Sequence, residues 1–319
     1  MDQVISATDA QQQEDTSTFT YAGYHSIITG VDRHWEYGGF ALPDGSFWRY
    51  REPDATVIVE GQRLRVRLAK ITRFNDKIQI LDNAKNMFFS TRKFAAPDGG
   101  EISFEWDMSA RCTGTKAHDL YDGFISVNLL DFSTGMALDF FACNDMIATV
   151  YARLPFPGVP APFDPEDVVK PKYFSDFNEL DVETNAGQTH RYGICYSKAR
   201  DEVRFFVDGQ DAGTYTEVPS KIDSLIIALG LMTEKTIEQG KSVSVHGQGL
   251  IGEWGPFTIR CESRWHQRTM ILRRRNTCDQ TSRQRSGATE IICCSGVVKQ
   301  FPPLALASLN SPFRCWCWP

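Results

Sequence analysis

At 319 residues, 42% hydrophobic and 23% charged, with a formal net charge of −6, the chain has the composition of a folded protein long enough to bury a large core. No stretch approaches the ~20 apolar residues of a membrane-spanning helix, and the acidic balance is a poor match for nucleic acid. Neither a membrane nor a nucleic acid is expected as a partner.

The opening MDQVISATDAQQQEDTST lacks a basic segment followed by an apolar one, so it does not read as a secretory signal. Residues 1–20 are expected to form a flexible polar leader, with the cytoplasm as the default compartment. From Cys261 onward the composition changes: nine Lys and Arg face three acids, and six of the nine cysteines crowd together. No Cys-x-x-Cys pair occurs there, so a zinc site is not supported. Residues 261–319 are expected to be an irregular Arg- and Cys-rich tail, leaving 21–260 as one domain.

Within that domain the signals are almost all β. ATVIVE and GQRLRVRLAKI alternate apolar and polar residues on either side of Glu60-Gly61-Gln62, which predicts a hairpin. EISFEWDMSA (101–110) follows the turn PDGG with an apolar row, Ile102, Phe104, Trp106 and Met108, and an acidic row, Glu101, Glu105 and Asp107. DGFISVNLLDF, MALDFFACN and MIATVYARLPF predict a three-strand meander. The stretch LPFPGVPAPFDPEDVVKPKY is too rich in proline for a central strand and is expected to be a surface loop. HRYGICYS, the hairpin VRFFVDGQDAGTY turning at Asp208-Gly209, SLIIALGLMT and GLIGEWGPFTIR complete the set. No region shows convincing helical periodicity. The fold class that follows is all-β, an antiparallel two-sheet β-sandwich.

The hairpin VRFFVDGQDAGTY and the closing GEWGPFTI resemble the late strands of concanavalin-A-like lectin and glucanase sandwiches, and the meander resembles a fungal and bacterial branch of them. The resemblance spans roughly residues 35–259 and implies a jelly-roll topology. It also implies a carboxylate pattern to look for, since sandwich glucanases carry Glu-x-Asp-x-x-Glu on one strand. Glu105 and Asp107 match its first two positions, but Met108, Ser109, Ala110 and Arg111 supply no second Glu. Glu101 lies about 13 Å from Glu105 along an extended strand, too far for the ~5 Å separation of a retaining pair.

Period-two parity groups Ser103, Glu105 and Asp107 with Ser126 and Asn128, Asp139, and Thr149, Tyr151 and Arg153 as one polar face. In the functional reading Asp139, which interrupts the apolar ALDFF, is a general acid or base with Tyr151 and Arg153 holding a substrate oxygen. In the structural one, Asp139 forms an ion pair with Arg153. Glu105, Asp107, Asn128, Thr149, His190 and Tyr192 are the expected substrate contacts; a histidine placed like His190 can act as a base but is more often a strand-edge histidine bonded to backbone. Phosphate-binding, dinucleotide, HExxH and Gly-x-Ser-x-Gly motifs are absent, so no cofactor and no metal are expected. The function expected is a cofactor-independent enzyme of secondary metabolism, a cyclase, dehydratase or isomerase extending to pericyclic addition, acting on a polyketide or terpenoid small molecule. The alternative is a carbohydrate-binding or glycoside-hydrolase-like sandwich.

Overall fold

The computed structural model describes residues 16–42, 44–74, 84–156, 159, 173–234, 237–238, 241–242 and 245–263. In chain order they form β1 (Thr16–Tyr21), a short helix α1 (His25–Thr29), β2 (Trp35–Tyr37), β3 (Gly39–Ala41) and β4 (Phe47–Arg49). Next come β5 (Thr56–Glu60), β6 (Arg63–Leu68), β7 (Lys85–Ser90), β8 (Phe94–Ala95) and β9 (Glu101–Thr113). The meander is β10 (Phe124–Asp131), β11 (Met136–Ala142) and β12 (Ile147–Arg153), followed by β13 (Phe174–Glu179) and β14 (Thr189–Ser197). The chain continues through β15 (Glu202–Val207), β16 (Gln210–Thr216), β17 (Ser224–Met232), β18 (Ile237–Glu238), β19 (Lys241–Ser242), β20 (Gly249–Trp254) and β21 (Phe257–Glu262).

Two large antiparallel sheets carry the fold. The first runs β16-β15-β14-β9-β20-β6-β5, with β21 joined to both β9 and β1; the second runs β13-β12-β11-β10-β17-β7-β2. Both hairpins expected from their turn residues are present. At Asp208-Gly209 both central residues have left-handed φ, 51° and 78°, the mirror-image turn whose twist suits a two-residue connection. The chain is therefore an antiparallel two-sheet β-sandwich, the fold class its strand signals predict.

The sheets are joined by aromatic side chains from alternate positions. Trp106 on β9 is 1% exposed, stacks on Tyr192 at 5.9 Å and meets Phe140 of the other sheet edge-on at 6.0 Å. Trp106, Ile102, Phe104 and Met108 all face inward, as the alternation of β9 predicts.

The leader is shorter than expected. TSTFTY is rich in residues that suit a pleated surface, and it pairs along its whole length with β21, from Thr16 opposite Glu262 to Tyr21 opposite Phe257. Phe19 stacks on Phe94 at 6.2 Å, so the strand contributes to the core. The domain likewise extends past residue 260, because Cys261 and Glu262 complete β21. Residues 1–15, residues 264–319 and most of the proline-rich stretch lie outside the described residues. The helix α1, absent from the sequence reading, is one turn closed by Gly30 at φ 69°, whose N–H donates to Ser26 O at 2.9 Å.

The turn between β10 and β11 fixes the meander. Asp131 accepts from Ser133 N and Oγ at 2.9 and 2.5 Å and from Thr134 Oγ1 at 2.8 Å. Gly135 then adopts φ 84°, and a Cβ there would lie 2.4 Å from Leu154 O. Gly135→Ala is therefore expected to cost more than about 1 kcal/mol, seen as a lower urea midpoint. An unchanged midpoint would show that the turn yields without strain.

Candidate functional site

The register separates the expected site residues onto different surfaces. Glu105 and Asp107 project from the outer face of the first sheet, where Glu105 pairs with Arg191 at 2.7 Å. His190 is 4% exposed near the start of β14, its ring nitrogens 2.7 Å from Asp208 Oδ2 and 3.1 Å from Thr184 Oγ1, so side chains hold it where backbone was expected. Tyr192 lies opposite Trp106 in the core.

The second sheet divides its own set. Across β10, β11 and β12, Asn128 stands opposite Asp139 and Asp139 opposite Val150, while Phe140 stands opposite Thr149 and Leu138 opposite Tyr151. Since directly paired residues share a face and neighbours alternate, Asp139 and Asn128 face outward. Thr149, Tyr151 and Arg153 share the inward row with Phe140. Tyr151 is stacked on Tyr215 at 4.3 Å, and Arg153 donates through Nε to Thr134 O at 3.0 Å. The single polar face is thus overturned, and so is the Asp139–Arg153 ion pair: the four-residue connection 143–146 sets odd positions of β11 opposite even positions of β12.

What the outer face of the second sheet brings together is a row across the strands: Phe177, Val150, Asp139, Asn128, Ala228 and Phe89. At ~4.8 Å per strand, each Phe lies about 10 Å from the nearer member of the central polar pair. Each ring has an aromatic neighbour, Tyr121 against Phe177 at 5.3 Å and Phe132 against Phe89 at 5.8 Å. Around the polar pair the same face carries small residues, Ala137, Ala148, Ala152 and Gly230, together with the larger Phe141, Leu130 and Ile226.

Asn128 donates through Nδ2 to Ser126 Oγ at 2.9 Å and Ala228 O at 3.3 Å. Asp139 is 5% exposed, and its Oδ1 has no hydrogen-bond partner. Burial above all pushes its carboxyl well above the usual carboxylate range; the charge of Glu234 adds to this and that of Lys85 opposes it. Lys85 and Glu234 form an ion pair at 2.5 Å with little exposure on either side. Glu234 is held by its N–H, which donates to Tyr121 O at 2.9 Å. The sequence reading missed Lys85, Glu234, Phe89 and Phe177, whose strands bring them to Asp139 only through long-range pairing.

Asp139 is the one carboxyl on β11, so the strand by itself supplies no pair of carboxyl groups about 5 Å apart. Among the described residues no group of three or more His, Cys, Asp or Glu is placed to hold a metal, and no helix is long and apolar enough to cross a membrane.

A family model described as a family of unknown function, DUF6081, matches residues 21–263. The chain belongs to that family. Among curated proteins none matches. Among solved structures, a prokaryotic beta-1,3-1,4-glucanase (lichenase) from a mouse hindgut metagenome is 10% identical, with 76% of this chain and 98% of that one covered and a TM-score of 0.45. An endo-1,3-beta-glucanase from Streptomyces sioyaensis is 14% identical over 81% of this chain and 100% of its own, with a TM-score of 0.43. A sialidase matches at 12% identity and a TM-score of 0.38 over 70% of this chain, which spans 17% of the sialidase's length.

Proposed function

We propose that this protein binds a short, polyhydroxylated, sugar-like ligand on the outer face of its second sheet and does not cleave it by the retaining mechanism. The observation that carries the reading is the cross-strand row with Asp139 and Asn128 at its centre and Phe177 and Phe89 at its ends. Sugars are held by that combination: apolar C–H faces rest on aromatic rings while hydroxyls exchange hydrogen bonds with an amide and a carboxyl. Asp139 Oδ1, buried without a partner, supplies an unmet hydrogen-bonding group at the centre.

The test is a glycan array followed by calorimetry on the full chain. A soluble oligosaccharide is expected to bind, with Phe177→Ala weakening it about tenfold, the value of ~1.4 kcal/mol for one lost stacking contact. Absence of binding to every glycan would overturn the reading. A second reading, a cofactor-independent enzyme acting on a polyketide or terpenoid, draws on the burial of Asp139, which strengthens its carboxyl's hold on a proton; binding of such apolar ligands in place of glycans would select it.

A further inference from the structure

Of the four strands that end the two sheets, three are guarded against further pairing. β16 lies beside a bulge between Phe205 and Phe206 and carries Gly213 at φ 150°, β2 is three residues long, and β13 exposes Asp176 and Glu179. β5 differs. Its sequence, Thr-Val-Ile-Val-Glu, has no bulge, proline or glycine, and its one charge is its last residue. Among the described residues nothing pairs with its outer edge. Ile58 is 38% exposed at its centre, and Val57 and Val59, which pack on the core from the other face, are only half-buried.

The turn at Gly61-Gln62 decides which backbone groups are open. Across a two-residue turn the flanking pair, here Glu60 with Arg63, is the hydrogen-bonded one, and bonded pairs then alternate along the ladder. Thr56, Ile58 and Glu60 therefore direct their N–H and C=O groups to β6. Val57 and Val59 direct theirs outward.

We propose that two copies of this chain associate through β5, antiparallel about a two-fold axis at Ile58, so that their first sheets become one. That register is self-complementary. Val57 pairs with Val59 of the second copy and Val59 with its Val57, closing four N–H···O bonds on groups that stand open in one chain. On the inner face each half-buried valine covers the other, and on the outer face the two Ile58 side chains meet on the axis as a close, non-hydrogen-bonded pair. The charges fit as well. Thr56 stands between Arg67 of its own chain and Glu60 of the second copy, so the two long side chains meet over a short one. Arg65, beside Ile58, is held by Glu253 at 2.6 Å, while among the described residues neither Arg67 nor Glu60 has an ion-pair partner. Five residues a side make a small interface, so the dimer is expected to dissociate in the micromolar range. The inference stands apart from the ligand reading, because β5 and the Asp139 row belong to different sheets.

The experiment is sedimentation velocity on the full chain in reducing buffer, which keeps cysteines from cross-linking copies, from about 1 to about 200 µM, a span that brackets such an affinity. A species of twice the 36.0 kDa of one chain is expected to grow with concentration. Ile58→Lys sets two ammonium groups on the axis and should weaken association about a hundredfold or more, with the circular dichroism unchanged. Glu60→Arg and Arg67→Glu should each weaken it about tenfold by placing like charges over Thr56. The double variant restores opposite charges and should recover most of that loss, a readout that stands even where Ile58→Lys does not fold. A monomer throughout the range, a dimer indifferent to Ile58→Lys, or a double variant no tighter than the single ones would overturn the proposal.

Discussion

Asp139→Asn is expected to be more stable than the wild type at neutral pH and less favoured, relative to it, in acid. Burial raises the folded-state affinity of this carboxyl for its proton. A carboxyl raised in the fold contributes its full stability below its unfolded value of about 4. As pH rises above that value the unfolded chain releases the proton first, and stability falls by up to about 1.4 kcal/mol per pH unit until the folded carboxyl also ionises. Asparagine has the same shape and does not titrate. The gap between variant and wild type should therefore widen in the variant's favour by about 1–3 kcal/mol between pH 4 and pH 7, the usual penalty for an unsatisfied buried polar group. Urea melts of both proteins at the two pH values measure it, and comparing the differences cancels any cost of the new amide. Parallel stabilities would mean that Asp139 is solvated or paired in solution.

The largest loss is expected from Trp106→Ala. Its indole is 1% exposed and meets Tyr192, Phe257 and Phe140, the last from the opposite sheet. Removing it leaves a cavity where the two layers are in register, and substitutions of this kind cost about 3–5 kcal/mol. Trp106→Phe should cost much less, because the Nε1 atom of Trp106 has no hydrogen-bond partner to lose. Denaturant unfolding decides both, and a loss below about 2 kcal/mol for the alanine variant would show that the site collapses to fill the space.

How far the sequence could be read depended on whether a signal was local or came from the ladder. The hairpin at Gly61, the turn at Asp208-Gly209 and the inward row of β9 rest on turn chemistry and period-two alternation within one segment, and all appear as expected. Parity across strands did not transfer. β10, β11 and β12 are buried on both faces, so their residues carry no polar alternation to set the phase. Asp139 stood out because a carboxyl in an apolar strand is costly. Its neighbours, Asn128 apart, could not be named, since Lys85, Glu234, Phe89 and Phe177 come from strands far apart in the chain.

The pairing of β1 with β21 has a mechanical consequence. Thr16 and Glu262 are neighbours at one end of that ladder, so a pull applied at these two residues peels the strands apart one rung at a time. No set of hydrogen bonds is loaded together in shear, and the sandwich should open from this corner under modest force. The same adjacency means that a short tether could join the two positions, and the chain could be cut and restarted at an exposed loop elsewhere without rearranging either sheet.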